Sequence, residues 1–361
     1  MALFDPVAFL KEQYGFSVRD VRPPDGKADS SQVFIVTTEE AGEVVLKASF
    51  WYQGFAKNPI EALETVYQTI HALAERGLPI QRAYKNGAGR FVSDVEGIPW
   101  VTLTYFSGKP FSGTEEEFAA TGKALGLFHK TGAAYLNEVP PMRKAITEKV
   151  PVEKPYEESR DLYLTKGFRE LLEKPHIGCG NGSVCDVVRQ AIPLIDETIT
   201  FIDSSFKEVG SLTASILHND FSHANGLYHE DGSFGGFLDA DQLGVGPAVF
   251  DIGNTLASFA TEFLKKGTVK ELEIRVGLFL LQYHSVWPLR EKEYALILAA
   301  TQRWDIQRVL RTMRRHHFED NRLPDLVPKV SSRFLPRIKG IKTWFAFLTP
   351  HWIEKTLSIK N

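Results

Sequence analysis

The chain has 361 residues, of which 43% are hydrophobic and 24% are charged, an ordinary composition for a soluble globular protein. Its 42 Lys and Arg residues nearly balance its 45 Asp and Glu residues, so the net charge of −3 gives no broad field for binding DNA or RNA. No segment approaches the roughly 20 apolar residues of a membrane span, and the N-terminal stretch has no long apolar core. We therefore expect a cytoplasmic protein with no signal peptide and no membrane or nucleic-acid partner.

The first part of the chain is predicted to form a small sheet with one inserted helix. A short helix at residues 6–14 precedes runs of β-branched and aromatic residues that are separated by turn sequences. Residues 58–76 instead repeat apolar side chains at helical spacing and end at Gly77, which predicts an amphipathic helix. Strands are predicted at residues 18–21, 32–38, 43–48, 80–84, 91–95 and 100–105. This pattern favours a sheet of about five strands with a helix after the third.

The remainder of the chain is predicted to be mainly helical. The pattern changes at residues 106–110, and a charged, proline-containing segment occupies residues 140–174. Helices are predicted at residues 115–131, 184–209, 254–263, 269–283 and 291–316. A small sheet-rich lobe thus precedes a larger helical lobe. We place the boundary after residue 106, with an N-lobe at residues 1–106 and a C-lobe at residues 107–361.

Polar residues that can carry chemistry recur in the second half of the chain. His218 and Asp220 follow a short apolar run, and Asn225 lies five residues after Asp220. Asp239 ends the next apolar run, and Asp251 lies twelve residues further on. Asp and Asn often only turn or cap a loop. Carboxylate and amide oxygens are also the ligands that Mg²⁺ prefers, and a carboxylate can act as a general base.

This arrangement resembles the catalytic loop H-x-D-x-x-x-x-N of protein kinases and of the aminoglycoside phosphotransferase/choline kinase family. Phe237-Leu238-Asp239 resembles the metal-binding aspartate of the next strand, and Asp251-Ile252-Gly253 matches the motif that braces the loop in that family. The resemblance covers residues 18–315. It implies an α+β, bilobal, protein-kinase-like fold with a small antiparallel-sheet N-lobe and a larger, mainly helical C-lobe.

The resemblance also implies phosphoryl transfer from ATP, with Mg²⁺, to a hydroxyl group. Asp220 would be the catalytic base, and Asn225 and Asp239 would be the metal ligands. His218 and Asp251 would be structural braces of the loop.

Lys47 is the candidate nucleotide cation, because it ends the strand Val44-Val45-Leu46-Lys47, which resembles the V-A-I-K strand of kinases. A lysine in that place can also be a plain edge residue. Its implied partner is a glutamate on the following helix, either Glu64 or Glu61, of which we favour Glu64. These two lie one helical turn apart, and the sequence does not fix the register.

The predicted nucleotide site departs from protein kinases, because no G-x-G-x-x-G or Walker sequence occurs. A short loop joins the first two strands instead, and its backbone N–H groups and the hydroxyls of Ser30 and Ser31 are expected to contact phosphates. Thr104, Tyr105 and Phe106 are expected to form the hinge that holds adenine through backbone groups.

The identity of the acceptor is not fixed by these motifs. Residues 282–289 resemble a helix end of type II homoserine kinase-like members, whereas residues 218–220 and 239–241 resemble kinases of N-acetylhexosamines. Electrostatic complementarity requires acids around a polycationic aminoglycoside. The segment at residues 140–174, with Glu157, Glu158 and Asp161, could supply them.

One predicted helix face carries the opposite charge. Trp304, Arg308, Arg311 and Arg315 recur at helical spacing. If this face lines the cleft, it suits a carboxylate or phosphate better than an amine-rich antibiotic. A solvated basic face is an equally good interpretation.

Three acidic and sulfur-containing residues have no assigned role. Asp241 could be a further acid at the metal or a solvated turn residue. Cys179 and Cys185, with His176 nearby, are too few ligands for a structural zinc, and they favour reduced cysteines over a disulfide.

We interpret the sequence as an ATP- and Mg²⁺-dependent kinase of a small-molecule hydroxyl, acting as a monomer or homodimer. The acceptor would be a homoserine-like amino alcohol or a sugar. The alternatives are an aminoglycoside antibiotic phosphotransferase and a catalytically silent nucleotide-binding scaffold. A protein kinase is disfavoured, because no D-F-G and A-P-E sequences follow Asp239.

Overall fold

The computed structural model describes residues 4–24, 32–49, 56–149, 160–161, 163–165, 184–207, 212–314, 340 and 342–358. The predictions for Ser30, Ser31, the Cys179–Cys185 pair, Glu157, Glu158 and Arg315 lie outside the described residues and side chains. Within the part of the chain that is described, no helix combines the length and the apolar character that crossing a membrane requires.

The N-terminal region forms a five-stranded antiparallel sheet in the order β1-β2-β3-β5-β4. Its strands are β1 (Val18–Arg22), β2 (Val33–Thr38), β3 (Gly42–Ala48), β4 (Ser93–Val95) and β5 (Ile98–Thr104). Helix α1 (Pro6–Tyr14) packs its buried Phe9 and Leu10 on one face of this sheet. These elements confirm the predicted sheet and the helix that precedes it.

Helix α2 (Pro59–Glu75) connects β3 to β4 and begins where the prediction placed it. The Asn58 side chain caps its first turn by accepting from the backbone N–H of Glu61, and Pro59 occupies the first helical position. Its buried Leu63, Val66 and Ile70 belong to a hydrophobic core that continues into the C-terminal region. This shared core fixes α2 and the sheet above the elements that carry the catalytic loop.

The strand predicted at residues 80–84 is wrong. This segment forms only two isolated bridges, one from Ile80 to Phe237 and one from Ala83 to Leu103. Its residues are divided between partners in the two regions of the chain, so no continuous ladder forms along it. The segment therefore ties the N-terminal sheet to the C-terminal region.

The C-terminal region is mainly helical, as predicted, with two small antiparallel sheets. The helices are α3 (Glu115–Glu138), α4 (Pro140–Lys149), α5 (Val184–Lys207), α6 (Val249–Phe263), α7 (Val269–Val286), α8 (Glu291–Tyr294), α9 (Ile297–Arg314) and α10 (Pro350–Ser358). One sheet pairs β6 (Lys109–Pro110), β8 (Gly226–Tyr228) and β9 (Phe234–Phe237), and the other pairs β7 (Ala214–Leu217) with β10 (Gly244–Pro247). The single helix predicted at residues 291–316 is divided into α8 and α9.

Two glycines allow helices of this region to approach closely. A Cβ atom at Gly122 of α3 would lie 2.1 Å from the carbonyl oxygen of Phe279 in α7. A Cβ atom at Gly253 of α6 would lie 2.3 Å from the carbonyl carbon of Ala300 in α9. Both distances are far below a van der Waals contact, so larger side chains would push the helices apart. The second contact presses α9 onto α6, the helix that carries Asp251.

Candidate active site

The predicted catalytic loop connects β7 to β8 and leaves β7 through a tight turn at Asn219. Asn219 has a φ of 62°, in the left-handed region that asparagine tolerates better than most residues. Its side-chain amide donates to the carbonyl oxygen of Gln242 at 2.9 Å, and its own carbonyl oxygen accepts from Asn254 at 3.1 Å. These contacts fix the direction in which the side chain of the next residue, Asp220, projects from the loop.

The side chain of Asp251 holds the start of this loop through hydrogen bonds to its backbone. Its fully buried carboxylate accepts hydrogen bonds from the backbone N–H groups of His218 at 2.6 Å and Asn219 at 2.8 Å. The third partner is Nε2 of His129, at 3.1 Å. The contacts that the sequence motif implied for Asp251 are therefore present, and they come from the first turn of α6.

His129 and His218 are both buried in this network. Because the Asp251 carboxylate only accepts hydrogen bonds, we assign a proton to Nε2 of His129, which donates to Asp251, while Nδ1 lies 2.8 Å from Tyr283 Oη. His218 donates from Nε2 to the carbonyl oxygen of Leu238 at 3.0 Å. Burial lowers the pKa of His218, so a neutral ring that acts as a structural link fits this position.

Replacing Asp251 by asparagine should lower the free energy of unfolding by roughly 3 kcal/mol, because buried backbone donors lose their charged acceptor. Chemical denaturation measures this change. Asp231→Asn is the matched control, because Asp231 accepts from Ser233 in the same way on an exposed loop. Equal stability of the two variants would contradict the bracing contacts of Asp251.

Asp220 follows Asn219 near the start of the loop and is contacted by two amide donors. The Asn225 side-chain amide donates to the Asp220 carbonyl oxygen at 2.7 Å and lies 3.3 Å from Oδ2. The amide of Gln242 also lies 3.3 Å from Oδ2. Burial raises the pKa of Asp220 to about 7, and the nearby carboxylate of Asp239 adds to the shift. The carboxylate is therefore held in one orientation and is near its midpoint of ionisation at neutral pH.

Lys47 bridges the two regions of the chain. Its ammonium contacts Oδ1 of Asp239 and lies 2.7 Å from Oδ2 of Asp241. Burial alone would lower the pKa of Lys47, but the two carboxylates raise it well above its ordinary value. Burial would also raise the pKa of Asp239, but the Lys47 ammonium holds it below its ordinary value. Lys47 is thus an ion-paired cation that faces the acids beyond the catalytic loop.

The two acids that flank Lys47 differ in exposure. The side chain of Asp239, whose φ is 56°, is 42% exposed. The side chain of Asp241 is 5% exposed and accepts a second hydrogen bond from Ser49 Oγ at 3.1 Å. Burial and the Asp239 carboxylate raise the pKa of Asp241, and the Lys47 ammonium opposes this shift. Asp241 is therefore not a solvated turn residue.

The predicted ion pair between Lys47 and a glutamate of α2 is wrong in this structure. The Glu64 carboxylate instead accepts from the backbone N–H groups of Phe91 at 3.1 Å and Val92 at 3.0 Å. Glu61 pairs with Arg90 at 2.8 Å. Both candidates are held by the segment that leads into β4, while Lys47 is drawn to acids on the other side of the cleft.

The predicted hinge follows β5 directly. Thr104 is the last residue of β5, and its carbonyl oxygen accepts from the side chain of Gln81 at 3.0 Å. Tyr105 and Phe106 follow, and a Cβ atom at Gly236 would lie 2.5 Å from the Phe106 ring. The hinge segment thus packs tightly on β9. Its contact with adenine stays a prediction.

The predicted metal ligands supply suitable oxygen atoms. Among the described residues, no three His, Cys, Asp or Glu side chains cluster as metal ligands. Asn225 donates through its nitrogen to Asp220, so its Oδ1 oxygen points to the other side of the amide. Mg²⁺ is commonly held by one or two protein oxygens together with phosphates and water. Asn225 and the exposed carboxylate of Asp239 fit such a site.

The predicted substrate residues lie on α9. The guanidinium of Arg308 stacks over the Trp304 ring at 4.3 Å, and Trp304 itself is buried. The positive charges of Arg308 and Arg311 both act to lower the pKa of Asp220, against the larger effect of burial. Because α9 also packs on α6, the helix that carries Asp251, this part of α9 lies near the catalytic loop and is not a remote basic surface.

Sequence reasoning missed two residues of the site. His129 lies 122 positions before Asp251, on a helix without a recognisable motif. Gln242 follows Asp239 within a short 3-10 turn at Ala240–Gln242 and donates to Asp220. A polar residue just after Asp239, the predicted metal ligand, was a weak signal for Gln242. No comparable signal marked His129.

Comparisons with known proteins show which family this chain resembles. The model of the phosphotransferase enzyme family matches residues 20–267. Homoserine kinase of Methylobacillus glycogenes is 23% identical over 307 residues, which cover 82% of this chain and 81% of that protein.

Two solved structures show the same fold. The structure of an amicoumacin kinase in complex with AMP-PNP and Ca²⁺ matches with a TM-score of 0.65 at 14% identity and covers 94% of both chains. A microcompartment-associated aminopropanol kinase matches with a TM-score of 0.62 at 12% identity, covering 94% of this chain and 97% of that one. The predicted bilobal, protein-kinase-like fold is confirmed. Because the family model matches more than half of the chain, the chain belongs to the phosphotransferase enzyme family.

Proposed function

We propose that the protein is an ATP- and Mg²⁺-dependent kinase that phosphorylates a hydroxyl group of a small molecule. The observation that carries this proposal is the convergence of three groups where the N-terminal sheet meets the catalytic loop. Asp220 projects from a braced loop, while Asp239 and Lys47 face it from the next turn and from the N-terminal sheet. Phosphoryl transfer requires a base, a metal-binding acid and a cation on the nucleotide, and each has a candidate here.

Asp220 would accept the proton of the acceptor hydroxyl as the phosphoryl group leaves ATP. A general base works best when its pKa lies near the operating pH, and the pKa of Asp220 is raised to about 7. Gln242 and Asn225 would hold the carboxylate toward the acceptor through their amide groups. The base is thus oriented before the substrate binds.

Lys47 would stabilise the nucleotide phosphates from the N-terminal side of the cleft. Asn225 and Asp239 would hold Mg²⁺, which neutralises charge on the phosphates when it is bound. Asp239 keeps an exposed carboxylate in position for this role, whereas Asp241 is sealed against Lys47 and Ser49.

We further propose a homoserine-like acceptor or a related small hydroxyl compound in preference to an aminoglycoside. Arg308 and Arg311 place positive charge near Asp220, which suits an acceptor that carries a carboxylate and repels a polycation. The likeness to a homoserine kinase over most of both chains supports this choice. Antibiotic phosphorylation is the second candidate, supported by the fold shared with an amicoumacin kinase.

Acceptor-stimulated ADP release tests the substrate class. Homoserine, the matched amino alcohol without its carboxylate, N-acetylhexosamines and aminoglycosides should be compared at saturating ATP and Mg²⁺. We expect homoserine to be favoured over the matched amino alcohol. Arg311→Met should reduce that preference by about tenfold, because it removes one charged contact to the carboxylate.

Each other outcome has a definite meaning. Preferential stimulation by aminoglycosides would favour the antibiotic kinase. Tight ATP binding without stimulation by any acceptor would support the silent scaffold. An equal response to homoserine and to the matched amino alcohol would remove Arg308 and Arg311 from acceptor recognition.

A further inference from the structure

A nucleotide-binding lysine needs an acid that holds its long, flexible side chain in one position. On α2, the carboxylate of Glu64 already accepts two buried backbone N–H groups, and Glu61 pairs with Arg90. Moving Glu64 onto Lys47 would leave those two buried donors without an acceptor, which is strongly unfavourable. The acid that positions Lys47 must therefore come from elsewhere.

Asp241 has the geometry of such an anchor. Its Oδ2 lies 2.7 Å from Nζ of Lys47 and 3.1 Å from Oγ of Ser49. Lys47 and Ser49 are two residues apart on one extended segment, so their side chains project from the same face. Both side chains of the Lys47–Asp241 pair are nearly sealed from solvent, at 9% and 5% exposure. The side chain of Asp239, in contrast, is 42% exposed.

We propose that Asp241 is the positioning residue of Lys47, in place of a glutamate on α2. This inference rests on the proposed function, because it assigns Lys47 to the nucleotide. The 3-10 turn at Ala240–Gln242 then positions both the nucleotide cation and the base. Asp241 holds Lys47, and the next residue, Gln242, donates to Asp220. The role is distinct from metal binding, which falls to the exposed Asp239 and to Asn225.

A double-mutant cycle on thermal stability tests the pair directly. Lys47→Met, Asp241→Asn and the double variant are compared without nucleotide and with the metal chelated. We expect Asp241→Asn to lower Tm by about 5 °C, because it leaves Lys47 with one buried partner fewer. The double variant should lose less than the sum of the single losses, which is the signature of a direct interaction.

Lys47→Met combined with Glu64→Gln is the matched control cycle, with the same loss of charge at the acid. We expect additive losses there, because Glu64 and Lys47 do not contact each other in the structure. Additive losses for the Asp241 cycle, or coupling in the Glu64 cycle, would overturn the proposal. Because neither cycle contains a ligand, both results are independent of whether the protein is a kinase.

Kinetics then separates positioning from metal binding. Asp241→Asn should lower kcat by about 100-fold, the order of loss when a group at the reacting centre is misplaced by about 1 Å. The Mg²⁺ concentration for half-maximal rate should not change. Recovery of kcat at high Mg²⁺ would instead identify Asp241 as a metal ligand and overturn the assignment.

Ser49→Ala provides a second arm if Asp241→Asn does not fold. It removes one hydrogen bond of Asp241 and leaves the acid in place. We expect kcat to fall by about tenfold, the rate equivalent of one such bond, again with no change in Mg²⁺ dependence. An unchanged kcat in this variant would contradict the positioning role.

Discussion

Asp220→Asn is expected to lower kcat for phosphoryl transfer by about 10³-fold, within the range that a positioned general base contributes. Asparagine keeps the shape of the side chain and its contacts with Asn225 and Gln242, but it cannot accept the proton of the acceptor hydroxyl. Initial rates at saturating ATP, Mg²⁺ and acceptor measure this loss. Full turnover in the variant would remove Asp220 from its proposed role.

The loss should not come from unfolding. The pKa of Asp220 rises from an ordinary 3.8 to about 7 in the folded protein, so the folded state binds the proton more tightly than the unfolded state. The contribution of Asp220 to stability therefore decreases as pH rises through this window. Asp220→Asn lacks this titration and should be at least as stable as the unsubstituted protein at pH 8. Its nucleotide affinity should also be retained.

Asp239→Asn is expected to raise the Mg²⁺ concentration for half-maximal rate by about 100-fold. Loss of even an outer partner of a metal ligand lowers metal affinity by about 10–100-fold, and Asp239 is the exposed carboxylate of the proposed site. Titration of the rate with Mg²⁺ at fixed ATP measures the change. An unchanged titration would show that Asp239 does not bind the metal.

Asp220→Asn is the matched comparison for this titration, because it also removes one carboxylate from the cleft. We expect the residual rate of Asp220→Asn to keep its original Mg²⁺ dependence. Lys47 retains Asp241 as a partner in Asp239→Asn, so the fold should survive the substitution. An equal increase in the Mg²⁺ concentration for half-maximal rate in both variants would indicate a general electrostatic effect on the metal.

Local patterns made much of the fold and site predictable. The site residues His218, Asp220 and Asn225 can be recognised from their spacing alone, because they belong to one loop between strands that are consecutive in the sequence. Asp251 could be predicted from its own short motif on α6, and its hydrogen bonds hold the loop that this motif was expected to brace. Strands β1 to β5 and helices α1, α2, α5 and α7 also lie within a few residues of their predicted bounds. In contrast, α3 extends to Glu138 instead of ending at residue 131, and α6 begins at Val249 instead of at residue 254.

Contacts between distant segments were not predictable in the same way. The partner of Lys47 depends on how the sheet sits over the turn at residues 240–242, which no local pattern specifies. The sequence favoured Glu64 as the partner of Lys47, yet backbone donors near β4 hold its carboxylate. His129 lies on α3 and reaches Asp251 on α6 across a separation of 122 residues in the sequence. Tertiary packing determines which partner each of these side chains contacts.

Transfer of label from ATP that is labelled in its γ-phosphoryl group tests the central claim most directly. The unsubstituted protein and Asp220→Asn should be incubated side by side with Mg²⁺ and each acceptor of the panel. We predict a labelled phosphate ester of a small acceptor with the unsubstituted protein and almost none with Asp220→Asn. Equal labelling by both proteins, or ATP binding without transfer to any acceptor, would contradict the account.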